Sequence, residues 1–513
     1  MKGHEGPGAA APGHDGGLAT EPAREPSAGA GLDPDDWSEF RALAHRMVDD
    51  VIEGMRTVRD RPVWQSVPAD VLARLREAVP ETAIGLDAAY DEFLRDIIRY
   101  PRGNTHPRFW GWVNGSGAPA GVLADFLASA MNPSVGGFEN AATLVEEQVL
   151  DWLKAMLGYE RCWSAVLTSG CSMSNLVALA VARSARAPVD IRRLGVAAAP
   201  RPLLAYASTE AHSSVQKAIE LLGLGTEALR LIPVDRSFRL DVAALERAIA
   251  SDRRAGGQPI VVIGNAGTVN TGAIDDLDRL ADVCTSEGLW LHVDGAFGAL
   301  AWLCPELRPQ LRGLQRADSL AFDLHKWMYL PYDVGCVFVR DADAHRRTFS
   351  TTPTYLSGMR AGPASYGSSF ADLGIELTRR FRALKVWMAL KAHGVAGFER
   401  SIRDNVRQAA RLASRIEASA DLELAAPVAL NVVCFRFVGE GGTAEELDRL
   451  NREVLVRLQT SGVAMPSHSV IGGSFVIRVA ITNHRSRDDD FDALVVDVCR
   501  LGRELQTAYS QQP

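Results

Sequence analysis

Between residues 37 and 51 the apolar positions Trp37, Phe40, Leu43, Met47 and Val51 recur every three to four residues. That spacing marks one face of an α-helix, and Asp33-Pro34 offers it a start. The helical pattern extends towards Gly111, although glycines, prolines and a dense aromatic group (Phe109, Trp110, Trp112) interrupt it from 101 to 117. A strongly amphipathic helix is predicted from about 140 to 157, with Leu144, Val145, Val149, Trp152, Leu153 and Met156 on its apolar side. The middle third changes period. Short apolar runs at 165–168, 203–207, 260–264, 289–293 and 319–322 alternate with helical patterns such as 214–222 and 276–287. A further strand is predicted at 334–339. Alternation of this length predicts a mostly parallel α/β sheet with helices on both faces. Beyond Gly394, a helix near 398–418 and strands at 432–437 and 475–481 around a helix at 444–458 predict a small α+β domain. The expected organisation is a disordered tail at 1–32, an N-terminal helical segment at 33–139, a large α/β domain at 140–393 and a small C-terminal domain at 394–513.

Composition narrows the class. A chain of 513 residues is too long for one simple core. Its 47% hydrophobic and 23% charged residues are ordinary for a soluble globular protein. A net charge of −8 with no basic run argues against a nucleic-acid partner. The seven cysteines are scattered singly, with no CxxC and no metal-like Cys/His spacing, as expected for reduced thiols in the cytoplasm and no bound metal. No apolar run has the length of a membrane span, and the first residues lack the apolar core of a signal peptide.

The chemistry concentrates in two segments. Leu289-Trp-Leu-His-Val-Asp-Gly-Ala-Phe297 ends an apolar run on an acid, Asp294, and Ser319-Leu-Ala-Phe-Asp-Leu-His-Lys-Trp327 carries Lys326 just past the next run. Pyridoxal phosphate (PLP) needs such a pair: an amine to form a Schiff base with its aldehyde, and a carboxylate to keep the pyridine nitrogen protonated. Only six of the 55 basic residues are lysines, and arginine cannot form the imine.

Ligands of parallel sheets bind beyond the carboxyl ends of the strands. Leu167-Thr-Ser-Gly-Cys-Ser-Met-Ser-Asn175 lies where a strand gives way to a helix. There Gly170 permits close approach, Ser172 offers a hydroxyl, and the first helical N–H groups face an anion. Thr209-Glu-Ala-His-Ser-Ser214 follows another strand; His212 suits either a helix cap or a planar ring stacked on a pyridine. Ala296 is small enough for a ring to pass over it. The loop from Gly264 to Asp275 can bring Thr268 near that ring, or simply cap the next helix.

These motifs, with Gly-Thr-Val-Asn-Thr-Gly-Ala-Ile-Asp275 among them, resemble the group II PLP-dependent amino-acid decarboxylases, most of all the aromatic-L-amino-acid decarboxylase branch. The likeness runs from about Trp37 to Tyr509 and takes in His106-Pro-Arg-Phe109 and Arg380-Phe-Arg-Ala-Leu-Lys-Val-Trp387. It implies PLP fold type I and α-decarboxylation of an L-amino acid, aromatic or apolar, by a homodimer with sites at the subunit interface. Phe138, beside Val135-Gly-Gly137, would reach the neighbouring site. By resemblance Lys326 is the Schiff-base lysine, Asp294 the pyridinium partner, His212 the stacked ring, and His325, Cys171 and Ser172 neighbours of the phosphate. Tyr355, in Thr352-Pro-Thr-Tyr-Leu356, matches a loop tyrosine that protonates the substrate carbon. The glycine- and serine-rich stretch 358–369 after it suits a closing lid.

Two positions depart from the family pattern. Asp323 stands where relatives often carry asparagine, and Val269 where they often carry a second threonine. Three other activities share parts of the pattern. Oxidative decarboxylation-deamination to an aldehyde goes with loss of the loop tyrosine or the stacked histidine. Transamination shares the Lys and Asp, and a catalytically silent PLP-binding protein shares the fold. Tyr355, His212 and the intact Lys326–Asp294 pair favour the decarboxylase.

Overall fold

The computed structural model describes residues 31–137, 139–351 and 369–511. They fall into two compact units, one ending at Arg56 and one beginning at Thr57. In the first, helix Trp37–Arg56 realises the predicted apolar stripe, with Trp37, Phe40 and Ile52 exposed along it.

The second unit is built on a seven-stranded sheet. Its spatial order is Ser164–Thr168, Gly335–Val339, Ser319–Asp323, Trp290–Asp294, Gln258–Asn265, Leu203–Ser208 and Leu229–Ile232. The last five run parallel to one another, and Gly335–Val339 runs antiparallel to both its neighbours. The mostly parallel α/β sheet of fold type I is therefore present. Its central strands are buried along their whole length, which is why they read as unbroken apolar runs rather than alternating ones. Edge strand Leu229–Ile232 was not expected; only Ile232 of its four residues is buried, too little to leave a pattern.

Helix boundaries follow capping chemistry. Asn140 accepts the Thr143 N–H ahead of helix Ala141–Leu157, and Asp276 accepts the Arg279 N–H ahead of helix Leu277–Glu287. Helix Ala383–Glu417 is interrupted at Gly394, whose φ of 63° is not helical.

A second sheet of five strands orders as Phe109–Trp110, Met465–Ile471, Ser474–Ala480, Val432–Phe437 and Leu422–Leu424. The helical expectation fails at Phe109–Trp110, which instead pairs in parallel with Met465 and Pro466. Strand Met465–Ile471 also escaped prediction, because Pro466 and three polar residues hide it. It turns into Ser474–Ala480 through Gly472-Gly473, both at positive φ, the conformation of a tight two-residue hairpin. Each sheet has its own hydrophobic core. Among the described residues no helix is long and apolar enough to cross a membrane, and none of the seven cysteines is disulfide-bonded.

Candidate active site

Asp294 ends its strand and Asp323 ends the next. Asp294 pairs with Ala321 across the two parallel strands, and the Asp323 N–H donates to the Ala296 carbonyl at 2.9 Å. Both acids thus emerge at one edge of the sheet, and the short helix Leu324–Trp327 places Lys326 beside them.

Asp294 is buried and each of its oxygens meets a donor. Oδ2 accepts from Asn175 Nδ2 at 2.8 Å; Oδ1 accepts from the Ala296 N–H at 3.1 Å and lies 3.4 Å from Cys171 Sγ. Behind Asn175 stands a polar chain whose direction can be worked out. The Trp290 indole, a donor only, gives its hydrogen to Ser319 Oγ at 2.8 Å. The Ser319 hydroxyl then turns its own hydrogen to His292 Nδ1 at 2.9 Å, so His292 Nε2 donates to Asn175 Oδ1 at 3.0 Å. Full burial pushes the pKa of His292 down to about 4, which keeps it neutral and suited to that relay. The Asn175 amide is thereby fixed with its NH2 towards Asp294 and towards Ser214 Oγ, 3.1 Å away.

Ser214 leads to His212. The His212 Nδ1 accepts the Ser214 N–H at 3.1 Å and lies 2.8 Å from Ser214 Oγ, so the ring caps helix Ser213–Leu221. The proton of the neutral ring is then on Nε2. Partial enclosure lowers the His212 pKa, and Asp294, Lys326 and Asp323 are all near enough to act on its charge. The two readings of this histidine are therefore compatible: it caps a helix and faces the site.

Gly170 caps helix Cys171–Arg186, and Ser172 is exposed at the helix head. The close approach is at Gly335: a Cβ there would lie 2.6 Å from the Gly170 Cα, whereas one on Gly170 would make ordinary contact with His325 Cε1 at 3.4 Å. The Cys171 N–H donates to Asp323 Oδ1 at 2.7 Å, while Asp323 Oδ2 lies 2.8 Å from Lys326 Nζ and 3.6 Å from His325 Nε2. Burial is the largest single influence and works against a charged Lys326, but Asp323, Cys171 and Asp294 together outweigh it and hold the amine above the usual lysine range. Burial also pushes the Cys171 thiol well up, reinforced by the two carboxylates, and lowers the His325 pKa. The His325 ring is held by Val334, whose carbonyl lies 2.9 Å from Nδ1.

The expected residues are not all brought together. Thr268 is buried, but its hydroxyl serves its own loop, 3.0 Å from Thr271 Oγ1 and accepting from the Ala273 N–H. The loop is clamped from the small sheet instead: Arg478 donates to the Val269 and Asn270 carbonyls, and Asn270 donates to Glu210 in the His212 loop. Trp110 is core, stacked on Phe491 at 4.8 Å, and Phe109 is buried beside it in the strand. Trp112 is exposed under the Arg102 guanidinium. Tyr355 and Phe138 lie outside the described residues. Sequence reasoning gave no role to His292 and Asn175, although position carried a signal. His292 is two residues before Asp294 and so on the same strand face, and Asn175 is one helical turn after Cys171.

A buried acid with two fixed donors, a lysine just past the neighbouring strand end and a helix head with Ser172 exposed form a donor set that fits PLP. Fold and site together define a PLP-dependent enzyme of fold type I. The chain matches the family described as "Pyridoxal-dependent decarboxylase conserved domain" over residues 68–438, and it belongs to that family of carboxy-lyases. It is 34% identical to an aromatic-L-amino-acid decarboxylase of Bacillus atrophaeus, covering 92% of this chain and 97% of that one. It is 30% identical to a phenylacetaldehyde synthase of Arabidopsis thaliana, covering 89% and 94%. The crystal structure of Oryza sativa TDC with PLP and tryptamine superposes with a TM-score of 0.86 at 29% identity, covering 93% of this chain and all of that one.

Proposed function

We propose that this enzyme removes the α-carboxyl group of an aromatic L-amino acid, releasing CO2 and the corresponding amine. The observation that carries the reading is the convergence of Lys326, Asp294 and His212 at the strand ends, with Asn175 bonded to Asp294 directly and linked to His212 through Ser214. Bound PLP supplies an electron-withdrawing ring that takes up the electron pair left when CO2 departs. Asp294 would hold the proton of the ring nitrogen, and Lys326 would anchor the cofactor through its aldehyde. The Cys171 and Ser172 segment with His325 receives the phosphate, and Ala296 leaves room for the ring. His212 would stack on the ring, its Nδ1 already held by Ser214. Tyr355 returns a proton to the α-carbon, and Thr268 lines the cofactor loop. An aromatic substrate is supported by relatives named aromatic-L-amino-acid, tryptophan and tyrosine decarboxylases.

The alternative is aldehyde formation, favoured by the comparable identity to a phenylacetaldehyde synthase. Product analysis in air against tryptophan, tyrosine, phenylalanine and a pool of other L-amino acids separates the two. Amine without aldehyde or peroxide is expected; aldehyde with peroxide would overturn the reading. Lys326→Ala should abolish both the visible absorbance of bound cofactor and turnover.

The enzyme is also assigned as a cytoplasmic homodimer. Helix Pro119–Met131 leaves Leu123, Phe126, Leu127 and Met131 exposed, an apolar face suited to a second copy. Sedimentation equilibrium giving a fully active monomer would exclude it.

A further inference from the structure

Asp323 holds two groups at once. One oxygen takes the Cys171 N–H, an amide at the head of helix Cys171–Arg186, and the other lies 2.8 Å from the Lys326 amine. The carboxylate is almost fully buried and closely walled. A Cβ on Gly335 would come within 2.9 Å of Asp323 Oδ1, and one on Gly170 within 3.6 Å. His325, 3.6 Å away, does not cancel the carboxylate's charge, because burial disfavours the protonated ring.

We propose that Asp323 is a positioning residue that loosens this enzyme's hold on the phosphate of its cofactor. It occupies one helix-head amide, sets a negative charge beside the place of another, and draws the Lys326 ammonium towards itself. An asparagine there would offer its carbonyl to Lys326 and its NH2 to the phosphate, and would free the Cys171 N–H. The cofactor is thus held as an exchangeable group whose retention depends on its phosphate charge. The inference rests on the assignment of this helix head as the phosphate cradle.

The test compares PLP with pyridoxal, which carries the same aldehyde and no phosphate. Full-length holoenzyme is freed of cofactor and retitrated with each, for wild type, Asp323→Asn and Asp323→Ser, following visible absorbance. A change acting only through Lys326 moves both affinities together, whereas a change at the phosphate moves PLP alone. The expected result is a PLP-to-pyridoxal affinity ratio that rises about tenfold in Asp323→Asn, equivalent to ~1.4 kcal/mol, and that also rises in Asp323→Ser. An unchanged ratio, or weaker PLP binding in both folded variants, would overturn the proposal. Wild-type PLP absorbance that survives Lys326→Ala would instead overturn the site assignment beneath it, so the two failures are distinguishable.

Discussion

Asn175 Nδ2 lies 2.8 Å from Asp294 Oδ2, and the orientation of that amide is dictated from the far side by His292, 3.0 Å from its carbonyl oxygen. The hydrogen bond therefore points one way only. Asn175→Leu removes the donor and leaves a buried carboxylate oxygen short of a partner. A hydrogen bond to a charged group contributes about 1.5–3 kcal/mol, so kcat/KM should fall by roughly ten- to a hundredfold. His292→Gln, whose amide can still donate, should lose much less. The pair of rate constants checks the relay, and equal losses in both variants would break it.

His212 lends itself to separating fold from chemistry. Its Nδ1 caps helix Ser213–Leu221 by accepting the Ser214 N–H. Asparagine is among the best N-cap residues, so His212→Asn should keep the thermal midpoint while losing the ring. Turnover should drop by about a hundredfold or more if the ring acts on the reacting groups. His212→Ala should lose both turnover and about 1 kcal/mol of stability. Calorimetry and steady-state kinetics on the two variants distinguish these outcomes.

The residues themselves show what the chain made legible. Asp294 and Lys326 stood out because both close apolar runs, and strand ends on adjacent parallel strands share an edge. The scarcity of lysine was a weaker guide than it looked. Lys154 and Lys385 are also buried, the first on the carbonyls of Arg161 and Trp163, the second 2.9 Å from Asp125. Scarcity does not single out the reactive lysine; its place at a strand end does. Asp323 could not be understood from sequence because its partners come from 152 residues upstream and three downstream. Its confinement also depends on Gly335 touching Gly170. The aromatic group at 109–112 was open to two readings, because a dense aromatic run looks the same whether it lines a pocket or, as Trp110 does, fills a core.

Away from the site, Arg379 and Glu146 form a fully buried pair at 2.5 Å. The guanidinium also donates to the carbonyls of Val135 and Leu167, joining the 135–137 turn to the first strand of the large sheet. Burial raises the Glu146 pKa, against the pull of Arg379. Removing one partner leaves the other charge uncompensated, at a cost of about 3–5 kcal/mol. Arg379→Met should therefore lower the urea midpoint strongly. The double variant Arg379→Met with Glu146→Gln should recover part of the loss, and a double variant as unstable as the single one would contradict this account.

Acid sensitivity follows from the buried histidines. Burial lowers His292 and His345 to about 4 and His484 to about 3, against 6.5 for the free side chain. In each case the unfolded chain takes up a proton at a higher pH than the folded one does. Their stabilisation is complete above pH 6.5 and is lost as the pH falls from there towards the folded values. One unit is worth about 1.4 kcal/mol, so each group withdraws on the order of 3 kcal/mol across that window. Asp275 acts in the opposite sense: burial raises it to about 6, so its contribution is present below pH 3.8 and is lost as the pH rises through 6. Burial raises Glu146 and Asp318 in the same sense, but it also lowers His106, His212 and His325; the six histidines outweigh the three acids, and the urea midpoint should decline steadily from pH 7 to pH 4.5. His345, which packs between Ser164 and the Leu373 carbonyl far from the cofactor site, isolates the effect. His345→Gln should make the decline measurably shallower while leaving turnover at pH 7 unchanged. An undiminished slope in that variant would place the acid sensitivity elsewhere.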